Sequence, residues 1–245
     1  MVQNVNAGYL PLWNNHDPRL PPLGRVVDAR IVNENDGHAS VWGTIEVFEA
    51  GEAFPFDTKR TMLQREPPAD EILISFDRSY RDAKSQALLA DLGALLRTRP
   101  QAEAKKALEP LSVLGIVGVF LLGQISIGFL GKVGTDVYDQ VIKKLGLLFG
   151  RRRADGEPYV FRFVALVPSR NSFVEVELFA NDPTTESMHR LFAEHLARAD
   201  GYMMQYVPDH PEIQRVVFDA SGPDLIFSFA VRSDCVPYFR GPTGA

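Results

Sequence analysis

"SVLGIVGVFLLGQISIGFLG", residues 112–131, is the stretch on which the reading of this chain turns. It carries no charge, and its length is about that of a helix crossing a bilayer core. Gln124 and Ser126 are the polar side chains inside it, and Gly115, Gly118, Gly123, Gly128 and Gly131 interrupt it. In a water-exposed helix each interior glycine costs about 1 kcal/mol relative to alanine. Close packing between membrane helices offsets that cost. The stretch is therefore expected to be one apolar, glycine-rich helix with lipid as its preferred surroundings. Val113, Leu114, Ile116, Val117, Phe120, Leu121, Leu122, Ile125, Ile127 and Phe129 are the expected lipid contacts. Two other readings compete. A helix apolar all round also suits the centre of a water-soluble core. It also suits a segment that joins copies of the chain to one another.

Outward from this stretch the pattern changes on both sides. Before it, Ala87, Leu88, Leu89, Leu92, Leu95 and Leu96 recur at helical spacing, and Pro100 ends the run. Gln101–Leu108 reads as a short helix. After it, GTDVYDQVIKKLGLLF places Val137, Val141, Leu145 and Leu148 on one side, with Asp136, Asp139, Lys143 and Lys144 as polar complement. Residues 81–153 thus form a helical segment. It closes on Arg151, Arg152 and Arg153, which are placed to meet anionic headgroups beside an amphipathic helix.

Both flanks read as strands. RVVDARIV (25–32) and ASVWGTIEVFE (39–49) bracket the turn residues NENDG and make a hairpin. Val41, Gly43, Ile45 and Val47 share one face of its second strand; Trp42, Thr44, Glu46 and Phe48 share the other. EILISFD (71–77) is a further strand. Residues 1–23, rich in Asn and Pro, are an irregular lead-in expected to cover a sheet edge. In the C-terminal part, YVFRFVALV and SFVEVELF form one hairpin, RVVFDA and LIFSFAVRS another. A helix over 184–204 lies between them, with Thr184, Thr185 and Glu186 at its N-terminus. The expected class is α+β: a β-rich unit (1–80), the helical segment (81–153) and a ββαββ antiparallel sheet with one helix (154–245).

Composition narrows the chemistry. With 45% hydrophobic and 23% charged residues the chain has material for a core. A formal charge of −5 lacks the basic field a nucleic-acid binder needs. The lone Cys235 has no intrachain partner, so no disulfide scaffold is implied. His189 and His195 stand six apart, not at the i, i+4 spacing of a helical zinc pair. The chain has no CxxC, HExxH, GxGxxG, P-loop or GxSxG pattern. No metal or cofactor is implied. The N-terminus has neither a basic start nor an apolar core, so no cleavable signal peptide is expected. The expected location is the cytoplasm or the inner membrane.

WNNHDPRLPPLGRVVDARIVNENDGHASVWGTI, residues 13–45, resembles the opening of phage prohead maturation proteases. The matching features are His16, the Leu23-Gly24-Arg25 turn, Asp36-Gly37 and Gly43. That resemblance implies a serine peptidase with its nucleophile on a later strand. Ser75 is the counterpart, Ser79 the next, and His16 the base. GKVGTDVYDQVIKKL, residues 131–145, is similar to a stretch in uncharacterised bacterial proteins, some of which look like membrane-acting effectors coupled to a sensing domain. The leading expectation is a non-enzymatic bacterial protein that associates with membrane lipid or with copies of itself. Its strand-rich parts would sense a signal or an unidentified protein partner. The alternatives are the peptidase and a soluble interaction module whose apolar helix is its core.

Overall fold

The computed structural model describes residues 7–14, 17, 19–33, 38–49, 54–62, 73–76, 82–102, 112–117, 119–150, 159–181 and 184–241. The fold is α+β. Strands β1 (Leu10–Leu12), β2 (Gly24–Asn33) and β3 (Ala39–Val47) form an antiparallel sheet in that order. The lead-in does cover an edge: Leu10 pairs with Val26 and Leu12 with Gly24. A second, mixed sheet contains nine strands. They are β4 (Leu73–Phe76), β5 (Gln101–Ala102), β6 (Ser112–Val117), β7 (Val119–Leu121), β8 (Tyr159–Val167), β9 (Ser172–Ala180), β10 (Ile213–Asp219), β11 (Ile226–Arg232) and β12 (Pro237–Tyr238). Their order is β12-β11-β10-β9-β8-β6-β4-β5, with β7 also on β8. The helices are α1 (Ala83–Leu95), α2 (Ile125–Val133), α3 (Thr135–Gly150) and α4 (185–206). In α4 a π-helical turn, Leu191–His195, joins two α-helical pieces.

Three antiparallel pairs, β4/β6, β8/β9 and β10/β11, lie side by side in the large sheet. The junctions between them, β6/β8 and β9/β10, are parallel. Parallel neighbours need a long crossover, and the helices supply it: α2 and α3 for the first junction, α4 for the second. The ββαββ order of the C-terminal part is present, but its two central strands run parallel. The sheet also continues beyond it, through β6, to β4 and β5. Of the short helix expected over Gln101–Leu108, Gln101 and Ala102 form strand β5 beside β4; the remainder lies outside the described residues.

The single helix expected over 112–131 is not there. The stretch is strand β6, strand β7, a turn, and the first seven residues of the nine-residue α2. Among the described residues no helix is long and apolar enough to cross a membrane, so the transmembrane reading is overturned. The cause lies in the residues. Val113, Ile116, Val117 and Val119 are β-branched, and β-branched side chains suit a pleated strand. Gly123, at φ +88°, makes a turn that other residues adopt only under strain. A Cβ there would also lie 2.9 Å from Met204 Sδ. The Asp200 carboxylate then accepts from Gly123 N and Ile125 N and starts α2.

The named lipid contacts other than Ile127 are either buried or lie on strands paired within the chain. Phe120, Leu122, Ile125 and Phe129 are buried, between 0 and 6% exposed. Val113 pairs with Val160 on β8; Leu114, Ile116 and Val117 pair with Phe76, Ile74 and Leu73 on β4. Leu121 pairs with Leu166. Ile127 alone of the ten is exposed among those whose side chains are described.

The helices pack on one face of the large sheet. Phe129 of α2 stacks on Phe192 of α4 at 5.0 Å and meets Phe163 of β8 edge-on at 6.2 Å. Val141 and Leu148 of α3, on the side that the sequence assigns as apolar, are fully buried in the same core. The other face of the sheet is polar near its middle: Arg162 pairs with Glu177, and Arg215 with Glu175. Towards β10 and β11 it is apolar, where Val217, Phe229 and Val231 pack with Trp13 and Phe179.

Candidate interaction surface

The β2–β3 hairpin is joined to the body at one end. Tyr9, Met62 and Cys235 form a small buried cluster, against which Val27 and Phe48 pack. Beside it, the Arg25 guanidinium donates from Nε to Glu46 at 2.6 Å and from Nη1 to the Asp234 carbonyl at 2.8 Å. It also sits 4.1 Å over the Tyr9 ring. Asp234 is fully buried and accepts from Arg232, Asp57 N and Val236 N. Net, these partners hold the Arg25 guanidinium above its usual range: burial opposes its charge most, and Glu46, Tyr9 and Asp234 together more than offset that.

Away from that anchor the hairpin changes character. Cross-strand partners share a face. The register therefore puts Ile31 with Val41, Ala29 with Gly43, Val26 with Ile45, and Gly24 with Val47 on one face. Arg25, Glu46, Arg30 and Trp42 occupy the other, whose base is the anchored side. On this face Ile31, Val41, Ile45 and Val47 are each 50–60% exposed, while Ala29 between them is buried; Trp42, on the opposite face, is 57% exposed. Five of the thirteen exposed large apolar side chains among the described residues therefore sit on this one hairpin. Scattered exposed apolar residues are ordinary; a contiguous stripe marks a contact surface. Alternation in the sequence identified which residues share a face. It did not say which face the body covers, and that is why the stripe was not legible as a surface.

Strand β3 is also an edge. Its only described neighbour is β2. The large sheet ends differently: β5 and β12 are two residues each, and β12 contains Pro237. Short edge strands and proline are the usual protection against pairing with another chain. Strand β3 has neither proline nor lysine.

The other sequence candidates are placed as follows. Ser75 lies in β4, between Gln101 of β5 and Gly115 of β6. His16, Ser79 and Arg151, Arg152 and Arg153 lie outside the described residues. Cys235 is fully buried, and burial pushes its thiol up to about 12, which leaves it protonated and unreactive near neutrality. His195 is buried in the π turn, with Nε2 3.1 Å from the Gly222 carbonyl. Among the described residues no group of three His, Cys, Asp or Glu is placed to hold a metal ion. A cleft of about 540 Å³ opens between α4 and β11, and its charged groups, Arg198 and Asp224, already face each other at 3.5 Å. No family model, no curated protein and no solved structure matches this chain.

Proposed function

We propose that the chain is a protein-interaction module that presents the β2–β3 hairpin to a polypeptide partner. The observation that carries this reading is the stripe of Ile31, Val41, Ile45 and Val47, exposed on a strand pair whose opposite base is fixed by buried charge. A body of this kind supports recognition. The anchor holds the hairpin in one orientation, so little ordering is needed on binding. The apolar stripe supplies contact area.

Placing a photo-reactive benzoylphenylalanine at Ile45 in the full chain, in cells, tests the reading. Leu147, exposed on α3, serves as the control position. Protein adducts should form from position 45 and not from 147. Absence of adducts at 45, or equal yields from both, overturns it.

A further inference from the structure

We infer that the groove between α4 and the β11–β12 end of the large sheet binds a proline-rich polypeptide segment in the polyproline II conformation. The site is separate from the hairpin and does not depend on it. Two clefts meet at Gly241. One, of about 540 Å³, lies beside Tyr202 and Phe227; the other, of about 280 Å³, lies beside Tyr206 and Tyr238. Together they follow α4 and the 3-10 turn after it, from Arg198 to Asp209. At about 1.5 Å per α-helical residue and about 2 Å per 3-10 residue, that run is about 18 Å long. A polyproline II chain rises about 3.1 Å per residue, so about five or six of its residues fill the groove. A single-ring compound does not.

The floor of the groove is aromatic. Tyr206 meets Phe227 edge-on at 5.8 Å and Tyr238 at 6.4 Å, and Tyr202 stacks on Phe218 at 6.0 Å. Rings this close leave no gap for a guest between them, so a ligand lies across them. Where the two clefts meet, a Cβ on Gly241 would lie 2.8 Å from Phe227 Cδ1; the glycine leaves that ring uncrowded. The Tyr206 hydroxyl is buried and has no hydrogen-bond partner among the described residues. Tyr202 and Tyr238, half-buried in the same groove, bring two more hydroxyls, and exposed Gln205 brings an amide. A proline residue offers a carbonyl acceptor and no N–H, and polyproline II makes no internal hydrogen bonds. Ligand acceptors therefore match groove donors. Charge agrees. Arg198 and Asp224 face each other at 3.5 Å towards one end, and Asp209 and Arg240 bring one charge of each sign to the other. With no net charge, the groove suits an uncharged chain. Aromatic-lined grooves are a recurring way to take proline-rich segments, whose fixed conformation leaves little entropy to lose.

Heteronuclear NMR of the full chain titrated with decaproline tests this, with a decapeptide of alternating glycine and serine as control. Decaproline should shift the amides of Tyr202, Gln205, Tyr238 and Gly241 saturably, and the control should not. Tyr202→Phe combined with Tyr238→Phe keeps both rings, removes two donors and should weaken binding about fivefold or more. Tyr238→Ala, which removes a ring, should weaken it about tenfold or more. Unchanged amide shifts in β8 and β9 check that each variant is folded. No saturable shift, an equal response to the control, shifts centred elsewhere, or unchanged affinity in the double phenylalanine variant overturns the inference. Shifts at the same amides from p-cresol with none from decaproline would make the groove a small-molecule site and equally overturn it. Cross-linking from Ile45 reads the hairpin separately, so either site can fail without the other.

Discussion

The Asp200 carboxylate accepts a hydrogen bond from the backbone N–H of Gly123, 2.7 Å away, and its second oxygen accepts from Ile125 N at 3.0 Å. A side chain on α4 thus satisfies the Gly123 N–H of the turn and the first N–H of α2, and fixes the point where strand β7 gives way to helix. Burial raises the Asp200 pKa more than these two N–H groups lower it. The net upward shift means that ionised Asp200 is held at some cost. Asp200→Ala removes the cap and leaves buried N–H groups without an acceptor. The expected loss is about 2 kcal/mol, read as a lower urea midpoint with unchanged slope. Asp200→Asn keeps one acceptor and should fall between the two.

Phe129 and Ile127 sit two residues apart in the stretch that looks made for lipid, and they should respond in opposite ways. Phe129 is fully buried among Phe120, Phe163 and Phe192, at ring distances of 5.0–6.4 Å. Phe129→Ala should cost about 3–5 kcal/mol. Ile127 is 68% exposed, and Ile127→Asn should change stability by no more than about 0.5 kcal/mol. Denaturant titration without detergent measures both. Similar small effects would mean that Phe129 is not part of the core.

That pair also explains what the sequence made legible. Local patterns were sufficient where periodicity and end signals agree. Helix α1 ends well before Pro100, α3 spans its amphipathic run, and α4 begins at Thr184, whose side chain and that of Ser187 form a reciprocal cap. Alternation gave β2, β3 and the two C-terminal hairpins. Residues 112–131 defeated the same logic because a strand inside a large mixed sheet and a lipid-facing helix can be equally apolar. What separates them is remote: Asp200, 77 residues on, and the pairing with β4 and β8. The hairpin surface was hidden for a related reason. Exposure of Val41 and Ile45 depends on what the body leaves uncovered, and no pattern within β3 encodes that.

His195 makes stability depend on pH. Burial is the largest influence on its imidazole and lowers its pKa below the usual 6.5; the Gly222 carbonyl offsets this only in part. The unfolded chain therefore takes up a proton at a higher pH than the folded one. The contribution of neutral His195 is fully present above about 6.5 and is lost as pH falls through the depressed folded value. Unfolding at pH 7.5 and at pH 5.5 should show lower stability at the acid value. His195→Gln, neutral at both, should reduce the difference. An undiminished difference in that variant would assign the pH dependence to other groups.

The anchor of the hairpin separates a buried pair from an exposed one. The Asp234 side chain is 0% exposed and lies between Arg232 and Arg25, while Glu46, the other partner of Arg25, is 40% exposed. Asp234→Ala leaves two largely buried guanidinium groups without their shared carboxylate, and a loss of about 3–5 kcal/mol is expected. Glu46→Ala breaks a contact that water can replace, at about 1 kcal/mol or less. The first loss should also be local. Amide exchange in β2 and β3 should accelerate in Asp234→Ala before that in β8, β9 and β10, because Arg25 and the Tyr9 cluster tie the small sheet to the body. Equal losses for the two variants would place the anchoring strength in the Arg25–Glu46 contact and leave the hairpin fixed by its own strand pairing.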